Sequence, residues 1–262
     1  MAMLKQVNYV WRLGVTGACF TLFGLGGSLL TALVFPPLRL LPGGEIGRNR
    51  RTQALIQRFF ALLIGLLRGL GVMHLELRNA DALRECHNML VFANHPSFLD
   101  VVIMLSLMPR SNCVVNSRLW RSPFWGGVVR AAGYIRYDAP EALVDDCVAT
   151  LEGGAPLIIY PEGTRSVPGQ PLRMSRGAAH IALRCDRDIL PVILTCDPPT
   201  LTKGMPWYRI PRRAFTFRLE VRPPLKVADC VDTSEPASLA ARKLTAYLEH
   251  YFTKELNLHA SR

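Results

Sequence analysis

The chain has 262 residues, enough for one sizeable domain plus an appendage and short for two full domains. Half of the residues are hydrophobic and 19% are charged, which excludes a disordered chain and is apolar for a freely soluble one. The formal net charge of +11 points to an anionic partner: a nucleic acid, a membrane surface or a phosphorylated substrate. Seven scattered cysteines without a C-x-x-C pair argue against a disulfide framework and a zinc knuckle.

From the amino end, Leu13 to Phe35 is a run of 23 residues without a charge. That length predicts a membrane-embedded helix over 13–35, spanning or re-entering the bilayer. A signal peptide would be followed by a small-residue cleavage site, but Pro36, Pro37 and Arg39 follow instead. The glycines between Gly14 and Gly27 weaken the alternative of a buried core helix in water. Pro42, Gly43 and Gly44 break the chain, and a basic amphipathic helix is expected over about 50–71. Arg51, Ala54, Arg58, Ala61, Gly65 and Arg68 form its narrow polar or small stripe, and leucines and phenylalanines fill the remainder. Such a face suits the bilayer interface, with packing on a protein core as the alternative. Residues 1–80 hold nine Lys and Arg against Glu45 and Glu76. More of those basic residues follow the apolar run than precede it, which puts the carboxyl-terminal part on the cytoplasmic side.

Residues 1–71 thus read as a membrane segment and 72–262 as a second unit, where strands and helices alternate. Strands are expected at 73–77, 89–93, 113–116, 134–137, 157–160, 190–194 and 215–222. Helices are expected at 97–108, 119–132, 140–151, 176–184 and 235–256. The predicted class is α/β, a mostly parallel or mixed sheet flanked by helices. Functional groups then belong on loops at the carboxyl ends of strands.

Two motifs stand at such ends. In Asn94-His95-Pro96-Ser97-Phe98-Leu99-Asp100, His95 falls on a strand-to-helix turn and Asp100 in the first helical turn. The carboxylate can reach one imidazole nitrogen, fix the tautomer and leave the other nitrogen free to accept a proton. Ser97-x-x-Asp100 also reads as a capping box, which would make Asp100 a helix cap, and both roles can hold together. In Tyr160-Pro161-Glu162-Gly163-Thr164-Arg165-Ser166, Gly163 allows a tight turn, and Thr164, Arg165 and backbone N–H groups can hold a phosphate. An ordinary turn with an exposed Glu–Arg pair is the alternative.

The order and spacing of these two motifs resemble the glycerolipid acyltransferase family, whose best-known members include bacterial 1-acylglycerol-3-phosphate acyltransferase. Gly133-Tyr134-Ile135-Arg136-Tyr137-Asp138 resembles the family's third block and Leu190-Pro191-Val192-Ile193 its fourth, so the likeness covers about residues 70–225. The resemblance implies a glycerol-3-phosphate acyltransferase-like fold and acyl transfer from a thioester, acyl-CoA or acyl carrier protein, to a lysolipid hydroxyl. It implies His95 as general base, Asp100 as its partner, and Glu162, Gly163, Thr164 and Arg165 on the acceptor's phosphate, with Glu162 fixing Arg165 or the loop. Ser97 is carried over as a further binding residue. Two departures bear on the acceptor: Ala139 stands where the family often has Arg, with Arg136 as a possible substitute, and Met174-Ser175-Arg176 precede Gly177. No metal and no cofactor are implied, and the expected partners are membrane lipids and the thioester carrier, at a bacterial inner membrane. Met205 to Arg209, with Lys203, Arg212 and Arg213, mixes aromatic and basic groups and suits headgroup-level contact or an ordinary basic loop. Competing readings are a nucleic-acid binder, which the apolar run opposes, a thioester hydrolase using the same pair with water, and an inactive scaffold.

Overall fold

The computed structural model describes residues 2–38, 40–137 and 140–260. Arg39, Asp138 and Ala139, which the sequence reading invoked, lie outside the described residues. The amino-terminal helix α1 (Ala2–Leu29) continues through a π turn (Leu30–Val34) into α2 (Phe35–Leu38). It therefore starts well before the uncharged run and takes in Lys5 and Arg12. After the Pro-Gly-Gly break comes α3 (Gly44–Gly69), a turn and a half longer at its start than expected.

A seven-stranded sheet follows, of β1 (Met73–Arg78), β2 (Leu90–Ala93), β3 (Asn112–Asn116), β4 (Ile135–Tyr137), β5 (Leu157–Ile159), β6 (Ile189–Asp197) and β7 (Phe215–Val221). Its order is β1-β7-β6-β2-β5-β3-β4, parallel throughout except for the antiparallel β6–β7 pair. The helices between are α4 (Asp81–Glu85), α5 (Leu99–Leu107), α6 (Ser117–Trp120), α7 (Gly126–Ala131), α8 (Pro140–Glu152), α9 (Arg176–Cys185), α10 (Val227–Cys230) and α11 (Ala237–Ala260). The single helix expected over 119–132 is two short ones. Pro123 lacks an N–H, and the Ser122 hydroxyl accepts from the Phe124 and Trp125 N–H groups, which closes a turn in place of a helical continuation.

Alternation along β2 divides the core. Val91 and Ala93 join one apolar cluster with α1, α3, α5 and α7, while Leu90 and Phe92 join another beneath α8, α9 and α11. Helix α3 uses its apolar face here: Ile56, Phe60, Leu63, Ile64 and Leu67 are buried in the first cluster, and Arg58 and Arg68 face outward. The interface helix of the sequence reading is thus a core helix, because the sheet offers its broad apolar face a larger dry partner. Helix α1 joins the same cluster through Val15, Cys19 and Phe35. Its glycines are notches for close approach. A Cβ on Gly26 would meet the Phe59 ring at 2.4 Å, and one on Gly27 would meet the Phe124 carbonyl oxygen and the Trp125 ring, each at 2.9 Å.

Candidate active site

Strands β2 and β5 are neighbours and run parallel, with Leu90 beside Leu157 and Phe92 beside Ile159. Parallel pairing puts their carboxyl ends together, so the two motifs, 60 residues apart in sequence, emerge side by side. This is the location at which open α/β sheets place ligands.

His95 Nδ1 lies 2.7 Å from Asp100 Oδ2, and the same carboxylate oxygen accepts the Ser97 N–H at 2.9 Å. Asp100 is therefore both the imidazole's partner and the cap of the turn before α5. The His95 side chain keeps 16% exposure, while Asp100 is fully buried. Burial pushes the Asp100 carboxyl up to about 6, against the opposing hydrogen bond and charge of His95 and the Ser97 N–H. Its other oxygen, Oδ1, is buried without a partner among the described residues.

The second motif is bolted onto the first. Glu162 Oε1 accepts the His95 backbone N–H at 2.7 Å and the Ser166 hydroxyl at 2.9 Å, and the Ser166 N–H donates to the His95 carbonyl at 2.7 Å. Burial raises the Glu162 carboxyl above its ordinary range, opposed by these donors. Of the two expected roles, Glu162 thus takes the loop and not Arg165, and ties it to the turn that carries His95: a carboxylate at this depth takes the nearest backbone donor. Gly163 closes the turn with φ +66°, where an L side chain is strained. Gly163 and Thr164 are exposed.

Arg165 Nη1 donates to the carbonyls of Leu201 and Thr202, at 3.0 and 3.2 Å. That anchoring leaves its Nε and Nη2 edge without a protein partner among the described residues, in the fork geometry that suits phosphate or carboxylate. Ser97 is fully buried, and its hydroxyl donates to the Thr200 carbonyl at 2.9 Å, so it holds the turn together and is not open to a ligand. Arg136 is not beside His95. It lies on β4, three strand spacings or about 14 Å from β2, with its guanidinium 5.8 Å from the centroid of the Trp120 ring.

Two residues of the site went unread in the sequence. Tyr160 packs against the imidazole, with ring centroids 4.3 Å apart and the rings tilted by 30°. The signal was an aromatic residue directly before Pro161 at the end of a buried strand. Asn94 extends the sheet: its side-chain amide exchanges two 2.8 Å hydrogen bonds with the Leu194 backbone, which fixes β2 to β6 just before His95. The site borders a narrow apolar cavity between α1, α3 and α5, lined by Phe20, Phe23, Leu63, Phe98 and Leu201.

Comparison with known proteins agrees with this geometry. Residues 74–195 match the family model described as Acyltransferase. The chain is 29% identical over 178 residues to a 1-acyl-sn-glycerol-3-phosphate acyltransferase of Helicobacter pylori, an alignment covering 64% of this chain and 71% of that one. It is 31% identical over 128 residues to the protein of the same description from Cocos nucifera, over 46% of this chain. The chain matches only 39% of the length of that coconut relative. Its fold resembles the crystal structure of the 1-acyl-sn-glycerophosphate acyltransferase PlsC from Thermotoga maritima, with a TM-score of 0.70, 18% identity and 98% and 99% coverage of the two chains.

Proposed function

We propose, from the likeness of this chain to acyltransferases, that it moves a fatty acyl group from a thioester to the free hydroxyl of a lysophospholipid. The donor is acyl-CoA or acyl carrier protein, the acceptor 1-acyl-sn-glycerol-3-phosphate and the product phosphatidic acid. The observation that carries this reading is the His95–Asp100 pair, bolted at its backbone to the loop that presents Arg165. His95 Nε2 removes the acceptor's hydroxyl proton as the oxygen attacks the thioester carbonyl. The tetrahedral intermediate collapses, the C–S bond breaks, and His95 returns the proton to the leaving thiolate. Asp100 holds the Nδ1 proton and stabilises the imidazolium. A thioester is already activated, so a base worth ~10²–10⁴-fold and correct placement supply the chemistry, with no protein nucleophile. The free edge of Arg165, with Thr164 and Gly163, holds the acceptor's phosphate.

Both lipids reside in a bilayer. Among the described residues, α1 with its continuation is the one helix long and apolar enough to cross a membrane, and most of it is not buried by protein. Met3, Val7, Val10, Leu25, Leu29 and Leu33 are exposed along it. Its other face touches the rest of the protein from the Trp11 Nε1–Leu70 carbonyl hydrogen bond to buried Phe35. That stretch is about 36 Å long, longer than the hydrocarbon core is thick. An upright helix would pull the site into hydrocarbon, so α1 lies in the interface, its exposed face among acyl chains and the basic loop with Trp207 and Tyr208 at headgroup depth. The membrane is the bacterial inner membrane, approached from the cytoplasm.

The test is a donor-by-acceptor matrix read by lipid mass spectrometry, with His95→Ala alongside. His95→Ala abolishes transfer while the protein stays folded and membrane-bound. Wild-type transfer by that variant, or thioester consumption independent of lysolipid in the wild type, overturns the mechanism.

A further inference from the structure

Helix α1 carries one arginine on its buried face. Arg12 is 2% exposed, an expensive place for a guanidinium unless its donors are satisfied. They are: Nη1 donates to the Pro211 carbonyl at 3.0 Å, Nη2 to the Arg212 carbonyl at 2.6 Å and Nε to Asn8 Oδ1 at 2.9 Å. Pro211 and Arg212 close the segment 198–214 between β6 and β7. The opening of the same segment supplies the carbonyls of Leu201 and Thr202 that hold Arg165, and that of Thr200, which takes the Ser97 hydroxyl.

Leu201 also accepts the Phe98 N–H at 3.1 Å, and it sits at φ +53°, a left-handed conformation that L side chains rarely adopt. Such a conformation persists only where the surroundings impose it. Helix α1 supplies much of those surroundings. The Trp207 ring packs over Gly17, 3.3 Å from where a Cβ would stand, and against Phe20, with centroids 5.8 Å apart. Phe20 in turn stacks on Phe98 at 5.9 Å. Arg12, Leu201, Ile210 and Pro211 line one cavity, so both ends of the segment meet the helix there.

We propose that Arg12 is a positioning residue for the acceptor: it latches the segment 198–214 to α1, and through that segment sets the guanidinium of Arg165. The proposal rests on the reading of Arg165 as the acceptor's phosphate ligand. A planar fork is required, because two successive carbonyls must be met at once, and an ammonium is a single point donor.

The experiment measures donor and acceptor KM separately for wild type, Arg12→Gln, Arg165→Ala and the double variant, with hydrogen exchange followed over 198–214. Arg12→Gln raises the acceptor KM about tenfold. It leaves the donor KM unchanged, speeds exchange across 201–212, and adds nothing further to Arg165→Ala. Arg12→Lys recovers part of the loss and carries the same comparison if the glutamine variant does not fold. Equal changes in both KM values, wild-type exchange in the segment, or an effect that multiplies onto that of Arg165→Ala overturns the latch. If Arg165→Ala itself leaves the acceptor KM unchanged, the phosphate reading fails on its own, and a wild-type exchange rate in Arg12→Gln then decides against the latch independently.

Discussion

Replacing Asp100 by Asn separates stability from catalysis, because the structure predicts opposite signs for the two. The carboxyl is fully buried, and its pKa stands near 6 against an ordinary 3.8. A raised acid pKa means that the folded state favours the protonated form. The stabilisation this gives is complete below pH 3.8 and is lost as pH rises through 6. Above pH 7 the ionised carboxylate therefore costs about 3 kcal/mol relative to a neutral group of the same shape. Asn is that neutral group, and its oxygen can still accept the Ser97 N–H. The variant should match wild type near pH 4 and exceed it at pH 8, by roughly 5–10 °C in melting temperature for a chain of this length. Its transfer rate should fall by ~10²–10⁴-fold, since a neutral amide cannot stabilise the imidazolium by charge. Melting curves in detergent at pH 4.5, 6 and 8, beside steady-state rates, test both signs. An Asn variant no more stable than wild type at pH 8 would refute the desolvation argument. One that retains near-full activity would reduce Asp100 to a helix cap.

Three further outcomes follow from the geometry. Gly27→Ala should destabilise by about 1–3 kcal/mol, because the added carbon meets a carbonyl oxygen and an indole at 2.9 Å; a helix lying in lipid away from the domain would instead be unaffected or gain from the better helix former, and a denaturation midpoint distinguishes them. Glu162→Gln should keep most activity, since the amide oxygen still accepts from His95 and Ser166, whereas Glu162→Ala should lose about 10²-fold in kcat/KM as the two loops separate; equal losses in both variants would make the charge itself essential. Arg165→Ala should cost roughly 10²-fold in acceptor kcat/KM with the donor KM unchanged, and Arg165→Lys should recover only part; a lower melting temperature with equal effects on donor and acceptor would make Arg165 a structural anchor.

The strands were legible because the central ones, β2, β5 and β6, are short apolar runs, while β1 and β7 alternate. In β7 the inward Phe215, Phe217 and Leu219 are buried as the pattern requires. The meeting of His95 with Asp100 was legible because a strand-to-helix turn lets the carboxylate reach back to the imidazole, whereas their roles came from the resemblance of the two motifs, since Ser97-x-x-Asp100 reads equally as a helix cap. The fate of α3 was not legible. An apolar face reads the same whether it meets lipid or a sheet, and only the folded neighbours distinguish them. Helix α1 hid its packing in its glycines, since a residue without a side chain reads as weak helix and not as the seat of Phe59 or Trp125. Ser97 and Arg165 were assigned from motif alone, and their partners are main-chain carbonyls of residues 200–202, whose identity leaves no trace in side-chain pattern.

The orphaned oxygen of Asp100 follows from what the proposed base needs. A carboxylate satisfied on both oxygens would be cheaper to bury, but its charge would be spread over donors that play no part in proton transfer. Here Oδ2 meets both the imidazole and the Ser97 N–H, while Oδ1 has no donor among the described residues. In the proposed mechanism the charge at Oδ1 acts on the imidazolium formed when His95 takes the acceptor's proton, and the low dielectric around it makes that interaction stronger. Tyr160, packed against the ring, covers that side without offering a competing bond, since its own hydroxyl is buried and unpaired among the described residues. The folding cost of about 3 kcal/mol would thus be carried at the group whose charge the proposed reaction uses, as expected where strain and unmet polar groups gather at a reacting centre. A variant that supplied Oδ1 with a donor, without touching His95, would gain stability and lose rate together.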